Sequence, residues 1–283
     1  MQIVDSQVHL WGADSPQRPW PPGQTGRAHR DKPLLTDELL VEMDRAGVHR
    51  AVLVPPSWEG DRNDICLEAA GTHPDRFAVM GRLALEAPAS RALIQGWKQQ
   101  PGMLGLRFTF HTSRSRAWLG DGTADWLWPA AEANGLPLMI LPPGSLPQIA
   151  RIAERHPALR LIIDHLALTR GLDEAATFAE LPELIQLARF QNIAVKASSM
   201  PGYSTEPYPY RNLHKYLRRV YDAFGPERMF WGSDFSRLPC SYRQCVTLFT
   251  EELDWLSAKD KDDIMGRALC EWLGWPVPVP TPR

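Results

Sequence analysis

Eight short apolar segments recur along the chain, separated by stretches with the amphipathic pattern of helices. The segments cover residues 2–5, 50–54, 77–82, 104–109, 137–141, 159–164, 193–197 and 229–232. Segments of this length are typical of parallel strands that are buried on both faces. The alternation therefore predicts eight strands joined by crossover helices, and the helices are predicted over residues 36–46, 89–99, 124–134, 146–155, 173–188, 211–224 and 240–257.

Eight such units within 283 residues predict an α/β fold, a distorted (β/α)8 TIM barrel, formed by a single domain over residues 1–283. A doubly wound sheet is the alternative architecture. The segment after the first strand, residues 9–13, lacks the glycine-rich phosphate-binding motif of such sheets. Proline, glycine and arginine dominate residues 12–35, which predicts a loop on the barrel rim, and residues 275–283 are expected to form an extended arm.

Charge and cysteine content exclude several classes of protein. The formal net charge is −2, which creates no field for nucleic acid or an anionic membrane. The four cysteines form no CxxC pair, so a structural zinc site is not expected. No segment has the length and apolar character of a signal peptide or membrane span. We expect a cytoplasmic protein that acts on a small molecule and is a possible homo-oligomer, with no nucleic-acid or membrane partner.

Polar residues follow several of the predicted strands. In a barrel the carboxyl ends of the strands meet at one mouth, where catalytic residues lie. The candidates, in chain order, are Asp5, Gln7, His9, Trp11, Arg107, His111, Asp164, His165, Lys196, Asp234 and Arg237. These residues are far apart in the chain, and the barrel would bring them together.

Three short stretches that contain these candidate residues resemble motifs of the amidohydrolase superfamily. They are residues 5–10 (DSQVHL), residues 164–165 (DH) and residues 232–234 (GSD), and residues 264–274 partly match the closing helix of the family. The resemblance covers nearly the whole chain. It is to the amidohydrolase-related group that includes 2-pyrone-4,6-dicarboxylate lactonases and L-fuconolactonase-like hydrolases, and it implies a barrel hydrolase with a site at these residues.

Two histidines of the metal-dependent members are missing. Gln7 stands in place of the first histidine, and the fifth strand ends in Leu141-Pro142-Pro143 without one. An amide is a poor zinc ligand compared with imidazole. No metal or other cofactor is therefore expected, as the resemblance to the metal-independent pyrone-dicarboxylate lactonases also implies. One divalent ion, zinc or manganese, would need His9, His165 and Asp234 as its ligands.

A mechanism without metal follows from the same positions. Asp234 is the candidate general base that activates water for attack on a lactone or ester carbonyl. His9, His165 and the Gln7 amide would donate hydrogen bonds to the carbonyl oxygen as it gains charge. Arg107 is the candidate clamp for a substrate carboxylate.

The remaining substrate-binding candidates are Trp11, Lys196, Arg237 and His111, and the sequence does not decide which of Arg18, Arg107, Lys196 and Arg237 contacts the substrate. Several candidates also have a structural interpretation. Asp5 could order a strand end, Arg107 could form a salt bridge under the rim, and Lys196 could neutralise Asp164 or Asp234. The remaining histidines are expected to be solvated, namely His29, His49, His73, His156 and His214.

The sequence thus predicts a lactonase-like hydrolase that acts on carboxylic ester bonds, most simply a lactone of a carboxylate-bearing catabolic intermediate. Two alternatives stay open. One is a metal-dependent decarboxylase of an aromatic or unsaturated acid, which requires a bound divalent ion. The other is a barrel that has lost catalysis and binds a ligand only.

Overall fold

A computed structural model describes residues 1–276 and contains one eight-stranded parallel sheet. The strands pair in chain order: β1 (Val4–Val8), β2 (Arg50–Leu53), β3 (Phe77–Gly81), β4 (Met103–Thr109), β5 (Leu138–Leu141), β6 (Leu161–Ile163), β7 (Ile193–Ser198) and β8 (Met229–Gly232). Strand β8 returns beside β1, where the Asp234 backbone N–H donates to the Gln7 carbonyl at 2.9 Å. The predicted barrel is confirmed.

Helices on the outside of the barrel connect the strands. Within residues 1–276 the α-helices are α1 (Thr36–Ala46), α2 (Asp64–Thr72), α3 (Ser90–Leu93), α4 (Ser113–Ala117), α5 (Leu127–Ala133), α6 (Leu146–Arg155), α7 (Glu174–Thr177), α8 (Leu181–Gln186), α9 (Arg211–Phe224), α10 (Tyr242–Thr247), α11 (Ala258–Asp262) and α12 (Ala268–Leu273). Short 3₁₀ turns occupy Ser57–Glu59, Trp97–Gln99, Asp164–Ala167, Leu187–Arg189, Met200–Tyr203, Pro226–Arg228 and Phe235–Arg237, and π-helical turns occupy Leu248–Glu252 and Asp263–Arg267. None of the helices in these residues is long and apolar enough to cross a membrane.

Three of the predicted helices are broken in the structure, and the helix predicted over 124–134 is shortened to α5. The segment 173–188 is divided into α7 and α8, and Pro182 lies in the first turn of α8, where its missing N–H costs nothing. The segment 89–99 becomes α3 and a 3₁₀ turn with Gly96 between them. The segment 240–257 contains α10 followed by a π-helical turn. Helices α2, α4 and α11 were not predicted.

The first strand is displaced from its predicted position. It spans Val4–Val8 instead of residues 2–5, and its register against β2 shifts between Asp5 and Val8, as at a β-bulge. The prediction ends the strand at residue 5 because polar residues follow, but Asp5, Ser6 and Gln7 are fully buried within the observed strand. Gln7 is therefore a strand residue, and His9 directly follows the strand.

Apolar side chains fill the barrel and the layer around it. The inner cluster contains residues from the strands and from α12, which closes the end of the barrel opposite the mouth, among them Val4, Val52, Met80, Ile162, Phe230 and Leu269. The region 12–35 is a mostly irregular loop, as predicted. The domain limits 1–283 stay a prediction, and residues 277–283 of the predicted arm lie outside the described residues.

Candidate active site

A cavity of about 410 Å³ opens at the carboxyl ends of the strands. Six of the residues predicted from the sequence line it, namely His9, Arg107, His111, His165, Asp234 and Arg237. Two of these residues, which follow β6 and β8, also have unusual backbones, with φ of 51° at His165 and 52° at Asp234. Positive φ is rare for residues other than glycine and is concentrated at functional sites.

Asp234 lies at the floor of the cavity and is 2% exposed. Its Oδ1 is 3.3 Å from His9 Nε2 but accepts no hydrogen bond of normal geometry from the described residues. Its Oδ2 accepts from Ser199 Oγ at 3.4 Å and lies 3.9 Å from Arg170. Burial raises the pKa of Asp234, but the neighbouring imidazoles, above all His9, outweigh burial and hold the pKa below its ordinary value. The carboxylate is ionised at neutral pH, and one of its oxygens has no hydrogen-bond donor within the described residues.

His9 is held from both sides of its ring. Its Nδ1 lies 2.5 Å from the Val54 carbonyl, an acceptor, so that nitrogen carries a proton. Its Nε2 lies 3.2 Å from the amide nitrogen of Gln7. Lys196 donates to Gln7 Oε1, which fixes the orientation of the amide because an ammonium group cannot accept a hydrogen bond. In neutral His9 the Nε2 atom therefore accepts from Gln7.

A buried ionic network lies beneath the mouth. Asp164 Oδ1 forms an ion pair with Lys196 Nζ at 2.7 Å, and Asp164 Oδ2 accepts a hydrogen bond from Arg107 Nε at 2.9 Å. Neither Asp164 nor Lys196 is exposed. Burial raises the pKa of Asp164, but the two cations outweigh it and keep the pKa low. Arg107 uses only Nε within the described residues, so its terminal nitrogens are available at the cavity.

Three of the predicted substrate-binding residues do not line the cavity. Gln7 and Lys196 are fully buried beneath it and contact each other. Trp11 is also buried and packs edge-on against Trp58, which does line the cavity. Arg18, another candidate, is paired with Glu59 at 2.6 Å and Asp64 at 2.7 Å. Sequence places these residues near strand ends but does not give the depth or direction of each side chain.

His29 belongs to the cavity, and the prediction that it is solvated is wrong. The rim loop carries it over the mouth, where its ring lies 4.5 Å from the Trp58 ring and 5.5 Å from the His9 ring. Its Nδ1 is 2.9 Å from Ser236 Oγ. Burial lowers the pKa of His29 to about 2, and nearby His9 adds to the shift. No motif marks His29, since its position depends on an irregular loop.

His165 follows β6 and is 6% exposed. Its Nδ1 lies 2.8 Å from Ser198 Oγ at the end of β7. Burial lowers the pKa of His165 to about 4, so the imidazole is neutral at pH 7. A neutral imidazole that accepts from Ser198 at Nδ1 carries its proton on Nε2, where it can serve as a donor.

Asp5 has a structural role. Its carboxylate is fully buried and accepts from the backbone N–H groups of Gln7 and Ser233, both at 2.9 Å, and from the Tyr242 hydroxyl at 2.6 Å. Burial raises its pKa in spite of these bonds. Asp5 therefore joins β1 to the segment after β8 and fixes the backbone that carries Asp234.

His9, His29 and Asp234 form a compact group of possible metal ligands. One ligand atom from each lies within 4.8 Å of the others. Two imidazoles and a carboxylate are a donor set found in catalytic zinc sites, and the buried Asp234 Oδ1 lacks a hydrogen-bond partner within residues 1–276. These residues fit a metal ion. The set contains His29 in place of the predicted His165.

Comparison with known proteins identifies the family of this chain. The family model described as Amidohydrolase matches residues 4–275. An L-fucono-1,5-lactonase of Burkholderia ambifaria is 31% identical over 242 residues, which cover 82% of this chain and 79% of the relative. A 4-sulfomuconolactone hydrolase of Rhizobium radiobacter is 23% identical over 240 residues, 82% of this chain and 74% of the relative.

Among solved structures, an amidohydrolase of Burkholderia multivorans with bound zinc superimposes with a TM-score of 0.79 at 23% identity, over 98% of this chain and 100% of that one. This likeness supports the barrel fold. The range matched by the family model contains every element from β1 to α12. The chain therefore belongs to the amidohydrolase family, and it is a lactonase-like hydrolase.

Proposed function

We propose that this hydrolase opens the ring of a small lactone, with Asp234 as the general base. The observation that carries the proposal is the buried carboxylate of Asp234, a residue that lines the cavity and whose Oδ1 lacks a hydrogen-bond donor within residues 1–276. The lactonase names of two relatives support the same substrate class. Lactones also suit the site because ring opening requires no strongly basic amine to leave.

Asp234 would orient and deprotonate the attacking water. An ionised carboxylate with a free lone pair accepts the water proton as the water oxygen bonds to the lactone carbonyl carbon. The ring C–O bond then breaks, and the leaving oxygen takes up the proton that Asp234 received. The product is the open-chain hydroxy acid, and Asp234 is returned to its ionised form.

His165 is the donor we assign to the developing oxyanion. Its low pKa keeps it neutral, and the Ser198 contact at Nδ1 leaves Nε2–H for the substrate. A donor fixed before the reaction stabilises the transition state without reorganisation. Gln7, which was the third predicted donor, contacts His9 and Lys196, and we assign it the role of holding His9.

Arg107 would bind a substrate carboxylate with its two terminal nitrogens, while Asp164 fixes the guanidinium through Nε. The contact to Asp164 makes this arginine both a structural and a binding residue. His111 lines the same cavity. Burial and the charge of Arg107 lower the pKa of His111, which favours its neutral form.

A metal ion, if bound, would be held by His9, His29 and Asp234. It would supply a Lewis acid that polarises the carbonyl oxygen or acidifies a water molecule. The zinc bound to the Burkholderia multivorans amidohydrolase supports testing for it. Metal content also separates lactone opening by Asp234 alone from the decarboxylase alternative, which requires the ion.

The test is lactone hydrolysis, followed with a pH indicator because each opened ring releases a proton at neutral pH. We expect Asp234→Asn to lower kcat by about 100- to 10,000-fold, the usual contribution of a general base. Asp254→Asn is the matched control, because Asp254 is exposed and remote from the cavity lining. An Asp234→Asn enzyme with near wild-type kcat would exclude this base.

A second experiment decides whether a metal ion takes part in the reaction. It measures the metal content of protein purified without chelator, and the activity before and after chelation. Release of carbon dioxide without ring opening would favour the decarboxylase.

A further inference from the structure

Three neighbouring strands are followed by residues with left-handed backbones. His165, Ser199 and Asp234 lie within two residues of the ends of β6, β7 and β8, and their φ values are 51°, 62° and 52°. This conformation is unfavourable for residues with a Cβ atom and is concentrated at functional sites. The roles proposed above account for His165 and Asp234, but Ser199 is fully buried and does not line the cavity. Its backbone needs a separate explanation.

The left-handed backbone changes the direction of the Ser199 side chain. Side chains alternate between the two faces of a strand. At the end of β7, Ser198 faces the mouth and contacts His165, while Ala197 packs in the apolar layer around the barrel. Continued alternation would direct residue 199 away from the mouth. Instead the Ser199 hydroxyl reaches the Asp234 carboxylate, so two consecutive serines contact groups assigned to the reaction.

Hydrogen bonds fix the direction of the Ser199 hydroxyl. Arg170 Nη2 donates to Ser199 Oγ, and Ser199 Oγ donates to Asp234 Oδ2 at 3.4 Å. A guanidinium group has no acceptor, so the hydroxyl hydrogen is left for the carboxylate. The other oxygen of Asp234, Oδ1, lies 3.3 Å from His9 Nε2. Ser199 therefore supplies a donor of fixed direction to one oxygen of the base and restricts rotation of the carboxylate.

The turn after β7 also holds the guanidinium of Arg170. A Cβ atom at position 202 would overlap this guanidinium, so Gly202 leaves the space that it occupies. The Arg170 Cζ lies 4.9 Å from the centre of the Tyr203 ring, a cation–π contact. The Gly202 backbone N–H donates to the Ser199 carbonyl at 2.9 Å, which ties the two residues into one turn. The same turn thus places Ser199 and the donor that orients its hydroxyl.

We propose that Ser199, held by Arg170, is a positioning residue that orients the Asp234 carboxylate for the activation of water. This inference rests on the proposed lactone opening and adds a residue that acts through the base. With Oδ2 engaged by Ser199, Oδ1 is the oxygen that takes the water proton. Since Ser199 does not line the cavity, its loss changes the orientation of the base and leaves the contacts with the substrate in place.

Ser199→Gly and Ser199→Ala separate positioning from a purely structural role. Both remove the hydroxyl, but glycine adopts a positive φ readily, whereas alanine keeps the strained Cβ atom. We expect both variants to lower kcat for lactone hydrolysis by about 10- to 100-fold, because a misplaced base slows the chemical step. KM should stay within about twofold of wild type. Ser199→Gly should have the higher Tm of the two variants, so that activity is lost without a matching loss of stability.

Ser257→Ala is the matched control. Ser257 caps α11 by accepting from the Asp260 backbone N–H at 3.2 Å, and it lies outside the cavity lining. Its replacement should lower Tm, as the loss of a helix cap does, and leave kcat within about twofold of wild type. Wild-type kcat in Ser199→Gly, or activity that follows Tm across the three variants, would overturn the proposal.

A double variant and crystal structures keep this inference separate from the proposed reaction. If Ser199 acts through Asp234, Ser199→Gly in an Asp234→Asn background should change kcat by less than about twofold, and a full additional loss would overturn the proposal. If Asp234→Asn alone keeps near wild-type kcat, the proposed base fails, and the orientation of the carboxylate decides the role of Ser199. A carboxylate that rotates about its Cβ–Cγ bond in crystals of Ser199→Gly supports positioning, and one that stays as in wild type excludes it.

Discussion

Lys196→Met tests the ionic network beneath the mouth. The Lys196 ammonium is fully buried, 2.7 Å from Asp164 Oδ1 and 3.3 Å from Met139 Sδ, and it also donates to Gln7 Oε1. Methionine keeps most of the length and apolar volume of lysine but removes the charge. Asp164 then keeps its ion pair with Arg107 but loses the one with Lys196. The side-chain oxygen of Gln7 also loses the hydrogen bond that Lys196 donates.

The expected cost follows from this burial. Removing one partner of a buried ion pair destabilises a protein by about 3 to 5 kcal/mol, because the other charge stays buried without its counter-charge. For a chain of this length the unfolding entropy converts this cost into a fall in Tm of about 5 to 8 °C. Part of the cost comes from the unpaired Gln7 amide oxygen.

The assay is thermal and urea unfolding followed by circular dichroism. Lys98→Met is the matched control, since Lys98 is exposed and makes no ion pair within the described residues, and its Tm should stay within about 1 °C of wild type. In the double variant Lys196→Met with Asp164→Asn both charges are gone. Its loss of stability should be smaller than the sum of the two single losses by about 1 to 3 kcal/mol. A Lys196→Met protein as stable as the control, or additive losses, would refute the reasoning.

Two further predictions concern close packing and protonation. Gly232→Ala should destabilise the fold by about 1 to 3 kcal/mol, because a Cβ there overlaps Ser6 Oγ and lies 3.1 Å from Ser198 Cβ, whereas Gly71→Ala, with open space around it in α2, should be neutral or stabilising in the same urea titration. Burial lowers the pKa of His165 from 6.5 in the unfolded chain to about 4 in the folded protein. The unfolded chain therefore binds a proton more readily, and the free energy of unfolding decreases as the pH falls from about 6.5 towards 4. The expected decrease is about 2 kcal/mol at pH 5. His165→Asn should remove this part of the pH dependence, and parallel curves for the two proteins between pH 7.5 and 5 would contradict the assignment.

The barrel could be predicted from the sequence because its strands are apolar on both faces. Continuous apolar segments mark such strands regardless of the helices packed around them. The prediction is weakest at β1, where Asp5 and Gln7 lie in a buried strand. Their polar groups are satisfied by Ser233, Tyr242 and Lys196, all distant in the chain, and local pattern rules cannot detect such partners.

The helices show a different limit of prediction. The amphipathic pattern over 173–188 continues through Pro182 and predicts one helix. The structure has two short helices there, α7 and α8. Helix α1 has the predicted bounds, and Gly47 ends it in the left-handed conformation with φ of 78°. The end of a helix can be predicted where a glycine in the left-handed conformation follows it. It cannot be predicted from the sequence where tertiary packing determines the last helical residue.

The site could be predicted at strand ends and not on loops. His9, His165 and Asp234 each lie within two residues of a strand end, so the barrel alone brings them to the mouth. His29 reaches the same cavity from the middle of an irregular loop, and its place depends on contacts with Trp58 and Ser236. No rule of spacing connects a loop residue to a strand end about 200 positions away in the chain.

The buried network explains why Gln7 and Lys196 occur together. Hydrogen bonds and ion pairs run from Arg107 through Asp164 and Lys196 to Gln7, and the Gln7 amide then meets His9. Glutamine can join this chain because it has an acceptor for the ammonium at one end and a donor for the imidazole at the other. An imidazole at position 7 that kept a nitrogen free for a metal would need its other nitrogen to accept from Lys196, and both nitrogens would then be unprotonated. Gln7 therefore completes one continuous set of buried contacts from Arg107, the arginine proposed to bind the substrate, to His9, which lies beside the proposed base.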